Sequence, residues 1–193
     1  MPKRVYILTL GVALSALIFS CGGPKHDFSS QLSSLDSLKS EVASAQERFD
    51  ELDASAISGA LKTIKSDMAS MNLLSHGAIT EAEAEVFSEY NRAKRLIKDF
   101  PQRHRRISEE CERTLSQLTG LSDALRSGAT QDAQGNKITP EYVKKNYDIE
   151  SRVASSLIEE ANNTIDFATR GLATYNEMKP QVDALLEQWK NEE

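Results

Sequence analysis

From about residue 28 onward, apolar residues recur along the chain at steps of three and four. This is the spacing of one face of an α-helix, whereas a half-buried strand would alternate apolar and polar residues. No alternating stretch persists in this part of the sequence. The pattern therefore predicts an all-α body, built from three long segments that each carry a line of apolar residues, here called a seam.

The first segment spans about residues 28–74 and carries two sets of apolar residues. They are Leu35, Leu38, Val42, Ala45, Phe49 and Leu52, followed by Ile57, Leu61, Ile64, Met68 and Met71. The step of five from Leu52 to Ile57 shifts the seam beside Gly59, a residue whose helix propensity is up to about 1 kcal/mol below that of Ala. We expect a local irregularity there within one helix, not a domain boundary.

The second segment begins with a capping box, in which Thr80 and Glu83 satisfy the free N–H groups of a helix start. Pro101 interrupts the segment without changing the phase of its seam. Because two separate helices would have little reason to share one seam, we favour a single kinked helix over residues 81–127, with a break at Pro101 as the alternative. The seam consists of Val86, Tyr90, Ala93, Ile97, Phe100, His104, Ile107, Cys111, Thr114, Leu118, Leu121 and Leu125.

A polar loop over residues 128–139 separates the third segment, which begins with Thr139 as cap and Pro140 as first helical residue. This helix is expected to run to the C-terminus, with Pro180 interrupting it in phase. Its seam consists of Ile158, Ala161, Ile165, Ala168, Leu172, Tyr175, Lys179, Val182, Leu186 and Trp189.

The three segments have similar lengths, each about 70 Å as a helix. Together with the short connections and the heptad seams, this predicts an elongated antiparallel three-helix coiled-coil bundle. The alternative is a compact bundle of four or five helices, broken at Pro101 and Pro180.

The first residues of the chain form an export signal. Lys3 and Arg4 precede an apolar run over residues 5–19, which is too short to span about 30 Å of hydrocarbon comfortably. A positive start, an apolar middle and a small residue before a cleavage point are typical of a secretory signal peptide. An ordinary cleaved signal and an uncleaved anchor helix are the alternatives to the lipoprotein signal described next.

The sequence Leu17-Ile18-Phe19-Ser20-Cys21 resembles the signal of bacterial lipoproteins, although Phe19 stands where smaller residues are more usual. The following Gly22-Gly23 is similar to lipoproteins of the Bacteroidota. The resemblance implies a signal peptide over residues 1–20, a lipidated Cys21 and a tether over residues 21–27, followed by the helical domain over residues 28–193.

This resemblance also implies a location. Gly22 replaces the Asp that retains many lipoproteins in the inner membrane, so the outer membrane is expected, with the periplasmic and external faces both open. No second apolar run of 18 or more residues follows the signal. The acylated Cys21 would therefore attach an otherwise polar body to the bilayer.

Composition argues against several classes of protein. With 193 residues, 39% hydrophobic, 27% charged and a net charge of −6, the chain is neither a polytopic membrane protein nor strongly disordered. Two cysteines and three scattered histidines argue against a Cys-built zinc site or a His-rich metal site. No HExxH, CxxC, GxSxG or P-loop pattern occurs. We therefore expect no enzyme activity, no metal and no cofactor.

One stretch of the chain is strongly basic. Residues 92–106 contain seven Lys or Arg residues and a single acid, Asp99. Five of the seven point away from the seam and form a candidate anion-binding site: Arg92, Arg95, Lys98, Arg105 and Arg106. The alternative is a solvated face, neutralised by acidic residues on neighbouring helices. Nucleic acid is disfavoured as a ligand because the chain is exported and acidic overall.

Two functions are compatible with these features. The first is a structural or adaptor lipoprotein that presents a helical surface to an envelope protein, with Val153, Leu157 and Phe167 as candidate apolar contacts. The alternative is a binding module for an anionic glycan or lipid through the basic cluster. Both are compatible with self-association. Cys111, on the second seam, is expected to behave as a small buried apolar residue.

Overall fold

A computed structural model describes residues 27–74 and 79–191 of the chain. These residues form five α-helices and no strand, which confirms the all-α prediction: α1 (Ser29–Asp50), α2 (Ala54–Leu74), α3 (Glu81–Ile97), α4 (Phe100–Arg126) and α5 (Pro140–Asn191). The predicted export signal, Cys21, His26 and His76 lie outside the described residues.

The chain divides into two compact units. Unit 1 contains the described residues within Met1–Ala43 and Glu112–Ser156, and unit 2 those within Ser44–Cys111 and Leu157–Glu193. Each unit has its own set of buried residues.

The shift in the first seam is a break between two helices, so the prediction of one helix over residues 28–74 was wrong. α1 ends at Asp50, and α2 begins at Ala54 with Asp53 as its cap. The Asp53 carboxylate accepts a hydrogen bond from the Ala56 N–H at 2.8 Å, which satisfies a free donor of the new helix. The extra residue between Leu52 and Ile57 thus corresponds to a new helix start within unit 2.

The second segment is also divided, in contrast to the single kinked helix that we favoured. α3 ends at Ile97 and α4 begins at Phe100, with Lys98 still in a right-handed helical conformation. Pro101 is the second residue of α4, where an N–H group would have no partner within the helix. The seam nevertheless keeps its phase, because Ile97, Phe100 and Ile107 are all buried.

The start and continuity of α5 agree with the prediction. The Thr139 hydroxyl accepts a hydrogen bond from the Tyr142 N–H at 3.2 Å, and Pro140 is the first helical residue. The helix continues through Pro180 to Asn191, the last residue that the structure describes. The break expected at Pro180 in the compact alternative is therefore absent.

The core of unit 2 follows the predicted seams of the first two segments. In the third, the seam of this unit is displaced by one residue at four positions: Leu157, Thr164, Gly171 and Met178 are buried in place of Ile158, Ile165, Leu172 and Lys179. Gly171 explains part of this displacement. A Cβ atom built there would lie 2.4 Å from Ile97 Cγ2 and 3.1 Å from Leu96 Cβ, so α5 approaches α3 along a face that only glycine allows.

Unit 1 has a smaller set of buried residues: Leu35, Leu38, Val42, Thr114, Leu118, Ser122, Leu125, Ile138, Val143 and Ala154. Ser122 is fully buried beside the predicted Leu121, which is only partly buried. On the surface of this unit, Arg126 Nη2 donates to both carboxylate oxygens of Asp36, at 2.9 and 2.7 Å.

Candidate functional site: a basic cleft in unit 2

Part of the predicted basic cluster borders a cleft of about 120 Å³ in unit 2, here called the basic cleft. It lies where α3 gives way to α4, opposite the middle of α5. Its lining residues are Arg95, Leu96, Asp99, Phe100, Arg103, Thr164, Phe167 and Ala168.

Helical spacing brings these side chains together. Arg95, Asp99 and Arg103 are four residues apart, and the helical conformation of Lys98 maintains that spacing between α3 and α4. Across the cleft, α5 contributes Thr164 and Phe167, which are three residues apart and therefore lie on one face. Each side of the cleft is thus formed by successive turns of helix.

The arginines at the cleft are unpaired within the part of the chain that the structure describes. Arg95 and Arg103 make no ion pair with any residue there, and Arg95 is exposed. Asp99 lies between them on the same side of the cleft, so the lining has a net positive charge. An arginine without a partner can offer its planar set of N–H donors to a carboxylate or a phosphate.

Two aromatic residues line the basic cleft. Phe100 is buried, whereas Phe167 is 37% exposed. The Thr164 hydroxyl is already satisfied, because it donates to the Glu160 carbonyl at 2.8 Å. The cleft therefore combines two unpaired cations with an accessible aromatic ring.

The structure separates the other predicted anion-binding residues. Arg92 pairs with Glu89 of its own helix at 3.1 Å. Arg106 of α4 pairs with Glu160 of α5, which is the neutralisation by a neighbouring helix that the alternative predicts. Lys98 and Arg105 are exposed but do not line the cleft. Of the five candidates, only Arg95 borders it.

Arg103 was missed as a site residue, although it carries the second charge. The signal for it was the repeat Arg95, Asp99, Arg103 at steps of four, which indicates a common helix face. Phe167 was identified only as a possible apolar contact. Leu157, proposed for the same role, is 4% exposed and belongs to a buried cluster with Phe49, Ile107, Cys111 and Ala161, so that prediction was wrong.

The remaining candidates for chemistry have structural roles. The ring of His104 stacks on Phe49 with centroids 5.2 Å apart and lies 5.3 Å from that of Phe100. Cys111 is buried, and burial raises the pKa of its thiol to about 11. Within residues 27–74 and 79–191, no group of three His, Cys, Asp or Glu residues could hold a metal ion.

Comparison of the chain with protein-family models, with curated proteins and with solved structures found no match. The described helices include none that is long and apolar enough to cross a bilayer.

Proposed function

We propose that this protein is a lipid-anchored adaptor of the bacterial envelope, and that its basic cleft binds an acidic segment of a protein partner. One observation carries the proposal. Arg95 and Arg103, which make no ion pair with any described residue, line the same cleft as the accessible ring of Phe167. The proposal assigns the chain no catalytic step, no metal and no cofactor.

The composition of the basic cleft favours a protein partner. Arginine and aromatic side chains are the residues that most often dominate the binding energy of protein interfaces. A cleft of about 120 Å³ accommodates about one side chain, so it would hold one anchor residue of a larger contact. A segment carrying an apolar anchor beside Asp or Glu would match both the ring and the two charges.

The experiment is photocrosslinking in cells, with a photoreactive amino acid in place of Phe167. We expect one dominant protein adduct, reduced at least about tenfold when Arg95→Glu and Arg103→Glu reverse the charge of the cleft. The matched control is Lys62→Glu with Lys65→Glu, which makes the same change of charge on exposed residues of α2. An adduct that both pairs of substitutions weaken equally would contradict the proposed site.

The membrane anchor is a separate part of the proposal and has its own test. Metabolic labelling with an alkyne-bearing palmitate should label the protein and should fail with Cys21→Ser. Mass spectrometry of the mature protein should show that it begins at residue 21 and carries acyl chains. An unlabelled mature chain that begins at another residue would contradict lipidation and favour an ordinary cleaved export signal.

The predicted elongated antiparallel bundle of three segments also belongs to this proposal, with each of the first two segments formed by two successive helices. Its support comes from the similar lengths of the three segments and from their heptad seams. Small-angle X-ray scattering of the mature protein should give a maximum dimension well above that of a compact bundle of the same mass. A compact profile would favour the four- or five-helix alternative.

A second function is favoured by a different observation. Lys98 and Arg105 are both exposed, and each lies close in sequence to residues that line the cleft. Neither makes an ion pair with any described residue. Together with Arg95 and Arg103 they could bind the phosphates of an anionic lipid or glycan. That function predicts salt-sensitive binding to anionic vesicles without a protein partner, reduced by Lys98→Glu and Arg105→Glu.

A further inference from the structure

A second cleft, of about 70 Å³, lies in unit 1 and is independent of the basic cleft. Its walls are the loop over residues 128–139, the C-terminal part of α4 and the first turns of α5; we call it the loop cleft. Two carboxylates, Asp132 and Glu150, are among its lining residues, and no Lys or Arg is.

Both carboxylate oxygens of Asp132 accept hydrogen bonds that hold one wall of the cleft together. Its Oδ1 accepts from the Gln134 and Asn136 N–H groups at 2.9 and 2.8 Å. Its Oδ2 accepts from Asn136 Nδ2 and from the Tyr142 hydroxyl, both at 2.8 Å. Although burial alone would raise the pKa of Asp132, these hydrogen bonds hold it below its ordinary value. Asp132 thus fixes the loop against α5 and remains ionised.

Glu150 has no such partners. Its side chain is partly buried in the loop cleft and makes no hydrogen bond or ion pair with any residue that the structure describes. Burial raises the pKa of this carboxyl group, because the charged form loses hydration that nothing replaces. A cation placed against Glu150 would replace the lost hydration and favour the charged form.

The rest of the loop cleft suits the stem of an alkyl chain. Leu121 and Ala124 of α4 and Ile138 of the loop line it with apolar atoms. Gly120 also lines it, and a Cβ atom built at Gly120 would meet nothing within 4 Å. The cleft therefore has open space beside an apolar surface, with one free carboxylate.

We propose that the loop cleft binds a primary alkylammonium group, with Glu150 pairing the charge and Leu121, Ala124 and Ile138 packing against the stem. A compact ammonium group fits the small volume of the cleft better than the larger, planar guanidinium does. A free diamine and a lysine side chain of a polypeptide share this chemistry.

The test is calorimetric titration of the purified full chain with cadaverine, and separately with Nα-acetyl-lysine N-methylamide, a mimic of a lysine within a polypeptide. 1-Pentanol serves as the uncharged probe and should not bind. Tighter binding of cadaverine would identify a free diamine as the ligand, and tighter binding of the lysine mimic would identify a side chain. Absence of binding by both amines would overturn the proposal.

Two variants and one control assign the binding to this cleft. Glu150→Gln removes the charge without changing the shape, and we expect at least about a tenfold loss of affinity. Gly120→Leu should fill the open space and abolish binding while leaving the helical circular dichroism unchanged. Glu159→Gln removes an exposed charge from the same helix and should bind as the natural chain does. Equal affinities in Glu150→Gln and Glu159→Gln would overturn the proposal.

Discussion

The indole N–H of Trp189 donates a hydrogen bond to Glu83 Oε1 at 3.0 Å and so joins the end of α5 to the start of α3. The other oxygen of Glu83 accepts from the Thr80 N–H at 2.7 Å and from the Thr80 hydroxyl at 2.8 Å. The capping box that the sequence predicted is therefore also a tertiary contact within unit 2. Trp189 is 6% exposed and packs near Phe87, with ring centroids 5.9 Å apart.

Loss of the indole hydrogen bond should weaken unit 2. Trp189→Phe retains an aromatic ring but removes the donor and some buried surface, so we expect the free energy of unfolding to fall by about 1–2 kcal/mol. Urea unfolding followed by circular dichroism measures this change. Because Trp189 is the only tryptophan, its fluorescence in the natural chain gives an independent probe. An unchanged midpoint would show that the contact adds nothing to stability.

The same site predicts a dependence of stability on pH. Hydrogen bonds from the Thr80 N–H, the Thr80 hydroxyl and Trp189 lower the pKa of Glu83 below its ordinary 4.5. A carboxyl group with a lowered folded-state pKa stabilises the protein above its unfolded pKa, and this contribution is lost as pH falls through the folded value. Glu83→Gln should therefore reduce the fall in melting temperature between about pH 6 and about pH 3. Glu85→Gln, an exposed neighbour, should leave it unchanged.

A buried tyrosine depends on a partner from α2. The Tyr90 hydroxyl donates to Asp67 Oδ2 at 2.6 Å, and Lys179 Nζ lies 3.4 Å from the same oxygen. Asp67→Ala leaves that hydroxyl unsatisfied, so we expect a loss of about 1–3 kcal/mol in the free energy of unfolding. In the Tyr90→Phe background the same substitution should cost less, which a double-mutant cycle measures. Additive costs would show that the two residues are not coupled.

Two helical glycines should respond to alanine with opposite signs. At Gly171 the new methyl group would meet Ile97 Cγ2 at 2.4 Å, and Ile97 is fully buried and cannot move aside. We expect Gly171→Ala to cost about 1–3 kcal/mol of stability. Gly59, inside α2, has nothing within 4 Å of such a methyl group, so Gly59→Ala should add up to about 1 kcal/mol. Thermal unfolding of both variants tests the pair, and a stabilised Gly171→Ala would contradict the close approach of α3 and α5.

The Cys111 thiol should be unreactive in the folded protein. Burial raises its pKa to about 11 and removes it from solvent, with smaller contributions from Asp50 and Glu110. In Cys21→Ser protein, where Cys111 is the only thiol, alkylation by iodoacetamide near pH 8 should be at least about a hundredfold slower than in denaturant. Comparable rates in the two conditions would show that the residue is accessible.

The sequence by itself determined which residues form helices and, for most of the chain, which face of each helix is buried. The seam from Tyr90 to Leu125, the capping box at Thr80 and the start of α5 at Pro140 are local patterns, readable because helix periodicity and capping depend on residues only a few positions apart. The two helix breaks were indicated only in part by the sequence. The break before Ala54 corresponds to the shifted seam, and the break before Phe100 corresponds to the proline that follows it.

Only the tertiary structure decided which residues of separate helices contact one another. The displaced seam in α5 depends on the close approach of α5 to α3 at Gly171. The basic cleft depends on Phe167 lying beside Arg95 and Arg103, which are more than sixty positions earlier in the chain. The partners of Arg106 and Trp189 likewise come from distant segments. Periodicity fixes the face on which a side chain lies, but its neighbours depend on the packing of separate helices, which a single sequence does not encode locally.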